Sequence, residues 1–440
     1  MAAAKGAQLG KLGKLTELRQ RIFFVIAALV VFRLGSFIPV PGVNPEAMSN
    51  LVNGNGLMDM FNMFSGGALS RFSVFALGVI PYISASIVFQ MMGSVIPSLQ
   101  GLRKEGDAGK RKMTMYTRFA TVGLAAFQSF GIAVALQSQV AAGGAPVVYT
   151  PGLGFIMSSV VGLTAGTMFL MWLGEQMTER GIGNGISLLI FAGIVSGLPG
   201  AVVHTLGMSS NGELSLLKLL MVLGLVLATT AFVVFMERAQ RRITVNYARR
   251  SGGQRAYMNQ TSHLPLKINM AGVIPPIFAS SLLMFPATAV AWFSTGHQSR
   301  WLQDLTQSLS PGNPLHDIVF SVLVIAFAFF YTAIVFNAEE TADNLKRSGA
   351  LIPGIRPGKA TANYVDSVMT RLTGVGALYL VLVCLVPSFM QNAWHVPFYF
   401  GGTSLLIVVV VVMDFTAQVQ AHLVSHQYES LLKKANLRRS

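Results

Sequence analysis

Few side chains in this sequence could do covalent or metal chemistry. Its one cysteine, Cys384, allows neither an internal disulfide nor a thiolate metal cluster. His422 and His426 are spaced to share a helical face, but the H-E-x-x-H pattern of a zinc hydrolase is missing, so they read as a solvated pair. GLRKEGDAGKRK from Gly101 comes nearest to a phosphate-binding loop, yet it lacks the first glycine at the needed spacing and the hydroxyl residue, so ATP hydrolysis is not expected of this chain. A proton- or sodium-coupled transporter needs ionisable groups at mid-membrane. Here Arg33, Glu175, Lys218 and Asp414 stand near the ends of apolar segments, where long side chains reach water. Neither a catalytic set nor a metal or cofactor site emerges, and the expectation is a protein that is not an enzyme.

The elements that carry these residues are unusually greasy. Of 440 residues, 52% are apolar or aromatic and 11% are charged, whereas an ordinary soluble chain carries about 25% charge. The mean hydropathy is +0.57. Apolar runs of about 20 residues match the roughly 30 Å of a bilayer's hydrocarbon. Ten such segments start near Ile22, Phe72, Phe119, Gly154, Gly183, Leu216, Ile268, His316, Leu372 and Phe398. The first could pass for a secretory leader, but no small-residue cleavage site follows it and similar segments recur down the chain, so it reads as a retained anchor.

Charge gives the topology. Of 32 Lys and Arg, 28 fall in the N-terminal stretch, alternate separators and the C-terminal tail, leaving Arg33, Arg71, Lys218 and Arg300 elsewhere. By the positive-inside rule both termini face the cytoplasm, as do two long basic loops at about 237–267 and 337–371.

Residues 57–71, LMDMFNMFSGGALSR, are apolar enough to enter a membrane and too short to cross it. Gly66 and Gly67 each weaken a helix by roughly 1 kcal/mol. The segment reads equally as a re-entrant half-helix lying against protein or as an amphipathic helix on the outer leaflet. GIGNGIS from Gly181 gathers small residues for close helix packing. Pro275, Pro276 and Pro286 fall in the seventh segment, where proline frees carbonyls and permits bending.

SRFSVFALGVIPYISASIVFQ from Ser70 and FLMWLGEQMTERGIGNGISLLIFAGI from Phe169 resemble the two signature segments of the SecY family, the central subunits of bacterial protein-conducting channels. The resemblance continues through FVVFMERAQRRITVNYARR, HLPLKINMAGVIPPIFASSLL, TADNLKRSGALIPGIRPGKATANYVDSVMTRLT and VPFYFGGTSLLIVVVVVMDF, and so spans nearly the whole chain. It implies an all-α polytopic membrane protein of the bacterial inner membrane, with ten spans in two pseudo-symmetric five-helix halves closing like a clamshell. The halves are 22–203 and 204–417, flanked by a cytoplasmic N-terminal segment 1–21 and a cytoplasmic tail 418–440.

The same resemblance assigns roles. Val79, Ile83, Ile186, Ile190, Ile277 and Ile407 match the aliphatic ring at the pore constriction, and 79/83 and 186/190 are i,i+4 pairs able to present stripes to one axis. Val79 stands where isoleucine is most usual, which implies a slightly looser fit. Residues 57–71 become a plug, including Met60, Phe61, Met63, Phe64, Ser65, Gly66, Gly67 and Arg71. Ser84, Gln128 and Asn269 match polar positions of a lateral gate through which signal peptides and membrane segments leave for lipid. Arg241, Arg242, Arg249, Arg255, Lys346, Arg347, Arg356 and Lys359 match a docking surface for the SecA motor ATPase and for the ribosome with its nascent chain. Nucleic acid enters only as ribosomal RNA. SecE and SecG are the implied small membrane subunits, YidC and the SecDF complex further partners, and membrane lipids the surroundings. The alternative is a secondary transporter of a small solute.

Overall fold

A computed structural model of the chain describes residues 16–53, 62–137, 139, 146–210, 215–247, 261–293, 308–309, 313–394 and 402–436. In chain order these form α1 (Thr16–Gly35), α2 (Pro45–Asn53), α3 (Ile80–Val95), α4 (Pro97–Lys104), α5 (Asp107–Gln137), α6 (Leu153–Arg180), α7 (Gly185–Ser210) and α8 (Leu216–Arg238). There follow β1 (Gln240–Tyr247), β2 (Thr261–Lys267), α9 (Ile274–Phe293), α10 (Pro314–Val335), α11 (Ala338–Arg347), β3 (Ala350–Leu351), α12 (Lys359–Trp394) and α13 (Gly402–Asn436). Among the described residues, seven stretches of helix are long and apolar enough to cross a membrane, with α3 and α9 supplying shorter apolar ones. The arginines of α1, at positions 19, 21 and 33, leave it a less uniform apolar run.

Several element boundaries depart from the hydropathy reading. The second segment does not turn helical at Phe72. Residues 65–79 form successive turns, Phe72 has φ 45° and Gly78 φ +57°, and the helix starts only at Ile80 with Pro81 in its first turn. Left-handed backbone cannot continue a right-handed helix, whereas proline at a helix start forfeits no hydrogen bond. The seventh segment likewise begins at Ile274 rather than Ile268, so Pro275 and Pro276 occupy a first turn and free no mid-helix carbonyl. α5 and α12 begin about a dozen residues before their apolar cores. At 36 residues, α12 is roughly 54 Å long, far more than the hydrocarbon requires. A hydropathy window detects only the greasy part of such a helix. The division expected at 203/204 falls inside α7, which carries Pro199 and runs on to Ser210.

The chain forms two compact units, one of residues 1–211, 281–311 and 407–440 and the other of 212–280 and 312–406. In the first, α6 packs against α1, α5 and α7, and α3 against α5. Its core joins Val40, Met48, Val52, Phe72, Val148 and Leu163, with Phe72 stacked on Phe155. The α6–α7 turn shows why GIGNGIS is small. A Cβ on Gly185 would lie 2.0 Å from the Gly174 carbonyl oxygen, and Gly183 has φ +93°. Asn184 Oδ1 accepts from the amides of Ile186 and Ser187 at 3.1 and 3.3 Å, capping α7.

In the second unit, α12 packs against α8, α10 and α11. Phe278 meets Phe327 and Tyr331 edge-on, joining α9 to α10. The basic stretch expected to be loop is instead an antiparallel sheet in the order β2-β1-β3, with Ile243 opposite Leu264 and Arg241 opposite Leu266. Ile243, Val245 and Leu266 alternate inward and bury against Ala350, Ile352, Val365 and Met369. The sequence reading weighed these residues for charge and passed over their period of two.

Candidate functional site

The candidate site in the first unit is built from the turns at 62–79 and the start of α7. Residues 62–64 are helical and the remainder of the segment to Arg71 is turns, so among the described residues the expected half-helix is a single turn. Gly66 and Gly67 have φ +70° and +80°, which ends the helix there. Much of the segment's hydrogen bonding is internal. Asn62 Oδ1 accepts from the Ser70 amide at 2.9 Å, Ser65 Oγ accepts from the Leu69 amide at 3.2 Å, and the Gly67 amide donates to the Asn62 carbonyl at 2.8 Å.

This knot of chain sits against α7 backbone to backbone. A Cβ on Gly66 would lie 3.0 Å from Gly193 Cα, and one on Gly193 would lie 2.9 Å from the Phe64 carbonyl oxygen. Gly78 lies in ordinary contact with Ser65, its Cβ position being 3.7 Å from Ser65 Cα. Gly193 is one helical turn beyond Ile190, and Gly78 adjoins Val79, so the segment touches both aliphatic stripes at their neighbours. Aromatic stacking holds the turns to α1 and α6, in a ladder from Phe32 to Phe75 to Phe169 with centroid spacings of 6.2 and 5.8 Å.

Val79, Ile83, Ile190, Ile277 and Ile407 are buried and Ile186 is half-buried. The Ile83 amide donates to the Val79 carbonyl at 3.0 Å, so these two do stack one turn apart. Ile186 and Ile190 occupy the first two turns of α7, Ile277 the first turn of α9, and Ile407 the first turns of α13. Their burial contrasts with Leu217, Leu220 and Leu227 of α8, which are exposed as a lipid-facing side would be.

Among the gate positions, Ser84 is half-buried on α3, Gln128 is buried on α5, and Asn269 is buried between β2 and α9. Asn269 Nδ2 donates to Glu237 Oε1 at 2.6 Å and to the Gly272 carbonyl at 3.1 Å, so its amide is engaged within its own unit. Arg241 and Arg242 are exposed on β1, and Lys346 and Arg347 on the last turn of α11. Asn337 caps that helix and Glu339 and Glu340 lie in its first turn, so both ends complement the helix dipole. Arg356 is exposed in a turn flanked by Gly354 (φ +80°) and Gly358 (φ +103°), its carbonyl accepting from Thr361 Oγ1 at 2.9 Å. Lys359 follows as the first residue of α12. Met60, Phe61, Arg249 and Arg255 lie outside the described residues.

Sequence reasoning missed two polar contacts by treating charges near segment ends as solvated. Arg118 of α5 grips Glu175 of α6 with Nε and Nη2, at 3.1 and 2.6 Å, and Glu175 is only 16% exposed. Arg33 Nη1 donates to the Gly66 carbonyl at 2.7 Å and to Ser196 Oγ at 3.2 Å. Arg33 and Arg71 also both lie over the Phe37 ring, at 4.8 and 4.2 Å from its centroid. The signal available beforehand was that Arg33 and Arg71 break the charge asymmetry of the chain.

Many apolar helices with close glycine contacts and a short segment folded back on one of them define a polytopic helical membrane protein. Residues 73–416 match the SecY family model. The chain is 58% identical to the protein translocase subunit SecY of Escherichia coli strain K12, over 97% of this chain and 96% of that one. Two solved structures share the fold at 93% coverage of this chain and 94% of theirs. One, at TM-score 0.67 and 18% identity, is of a SecY protein whose plug domain stabilises the closed state of the translocation channel and maintains a membrane seal. The other, at TM-score 0.63 and 15% identity, is Sec61 in the canine ribosome–channel complex from the endoplasmic reticulum. The chain belongs to the SecY family.

Proposed function

We propose that this chain is the pore-forming subunit of a protein translocase, passing unfolded secretory chains across the bacterial inner membrane and releasing membrane segments sideways into lipid. The observation that carries this reading is the seat of residues 62–71 on α7, one turn from Ile190 and beside Val79. A compact segment with much of its hydrogen bonding internal, touching its neighbours through glycine, can leave its place at the loss of few bonds. That is what a plug has to do. The Escherichia coli relative, named a protein translocase subunit, and the plug-bearing channel of shared fold support the assignment.

In this reading the six aliphatic residues form a ring that water and ions do not wet and that yields to a passing chain. Ser84, Gln128 and Asn269 mark the lateral gate, with Glu237 as the acceptor that orients Asn269. The sheet, the end of α11 and the Arg356 turn present a cytoplasmic basic surface to the SecA motor and to the ribosome, the latter supported by the ribosome-bound Sec61 of shared fold. Arginine suits such a surface because its guanidinium makes paired contacts with phosphate or carboxylate. Both termini lie in the cytoplasm, and SecE and SecG complete the complex.

The test is reconstitution with SecE and SecG in a planar bilayer. The resting channel should be nearly silent, and an unfolded secretory chain driven by motor and ATP should both cross and open a conductance. Ion-coupled uptake of a small solute without any polypeptide would overturn the reading in favour of a transporter.

A further inference from the structure

Arg33 stands in the last turn of α1, where a charged side chain could reach water at no cost. Instead it turns inward. Its Nη1 bridges the Gly66 carbonyl at 2.7 Å and Ser196 Oγ at 3.2 Å, and Ser196 Oγ in turn donates to the Gly193 carbonyl at 2.7 Å. Three elements meet at this one nitrogen: α1, the turn of 62–71 that rests on α7, and α7 itself. Phe37 steadies the arrangement, since the guanidinia of both Arg33 and Arg71 lie over its ring. Each cation is attracted by the ring's electron-rich face, which offsets the repulsion between the two like charges.

We propose that Arg33 is the positioning residue that latches the plug closed, with Ser196 as its second anchor. The inference rests on the plug reading of residues 62–71. The contact goes to a main-chain carbonyl, so the latch acts on the seat of the segment whatever side chains the plug carries. A hydrogen bond from an ionised donor in a partly buried place is strong enough to hold a small segment, yet one such bond can be broken by a chain entering the pore. The side-chain bonds of Asn62, Ser65 and Ser70 close within residues 62–70 and do not involve Arg33.

The experiment measures resting ion conductance of the reconstituted complex for the wild type, Arg33→Met, Ser196→Ala, a channel lacking residues 57–69, and that deletion combined with Arg33→Met. If Arg33 is the latch, Arg33→Met raises resting conductance by about ten- to a hundredfold and Ser196→Ala by about two- to tenfold, following the difference between charged and neutral hydrogen bonds. In the deletion background Arg33→Met should add nothing, because its target is gone. An equal increase in both backgrounds would show a general structural role and overturn the proposal. A silent Arg33→Met channel beside a leaky deletion would overturn it while leaving the plug in place. A deletion that is itself silent would remove the plug reading and the latch with it. Should Arg33→Met fail to accumulate, Ser196→Ala decides alone, and wild-type tightness in that variant refutes the latch.

Discussion

Gly66→Ala should unseat the plug without unfolding the protein. Two costs follow from the backbone. At φ +70° an L side chain is strained by about 1–2 kcal/mol. The new Cβ would also sit 3.0 Å from Gly193 Cα, well inside the roughly 3.5–4.0 Å of a comfortable carbon contact, and overpacking of this kind costs about 1–3 kcal/mol. Allowing for relaxation, the seated state loses about 2–4 kcal/mol relative to the displaced one. At about 1.4 kcal/mol per tenfold, the displaced fraction rises by between one and three powers of ten. Two neighbours separate the terms. Gly67 has φ +80° but its Cβ position meets only Arg71 Nη1, at 3.6 Å, so Gly67→Ala carries the strain alone and should leak about five- to thirtyfold. Gly197, one turn beyond Gly193 on α7, has nothing within 4 Å of its Cβ position, and Gly197→Ala should stay tight and gain about 0.5–1 kcal/mol of helix stability. The assay is single-channel conductance in planar bilayers at rest, with thermal unfolding in detergent as the control for folding. Leak in the order Gly66 over Gly67 over Gly197 is expected. A tight Gly66→Ala channel, or equal leak from Gly66 and Gly67 variants, would refute the backbone contact as the seat of the plug.

Replacing Ile83, Ile190 and Ile277 together by serine should raise resting ion conductance while the protein still inserts, because a wetted gap replaces a dry one; unchanged conductance in bilayers takes these residues out of the constriction. Arg118→Ala should lower thermal stability by about 1–2 kcal/mol, because Glu175, only 16% exposed, is left without its partner, and Arg118→Met with Glu175→Leu should recover most of it, as calorimetry or a detergent melt can read. Arg356→Glu should block motor-driven export in vesicles while insertion and topology stay normal, at a cost of about 2–5 kcal/mol to docking; normal export would reduce the turn to part of the positive-inside bias.

How much could be read without coordinates depended on the range of the interaction. Hydrocarbon thickness acts on about 20 consecutive residues, so the rough positions of the long apolar helices followed from hydropathy. The glycines of GIGNGIS were legible as a packing signal for the same reason, since small residues act where they stand. The starts of α3 and α9 were not, because a window average does not register the left-handed backbone at Phe72, Gly78 and Gly272 that delays the helices to Ile80 and Ile274. Charges beside β1 hid the alternation of Ile243 and Val245, whose inward face packs against Ala350, Ile352, Val365 and Met369, more than a hundred residues later. The site itself depended most on the fold. Residues 57–71 read equally as a surface helix or a re-entrant segment by composition, and only the family resemblance made them a plug; the close approach of Gly66 to Gly193, and the 2.7 Å contact of Arg33, which read as a solvated end charge, with the Gly66 carbonyl, belong to the fold. Contacts between residues more than thirty positions apart depend on the packing of whole helices, which local composition does not encode, and only the tertiary structure decides them.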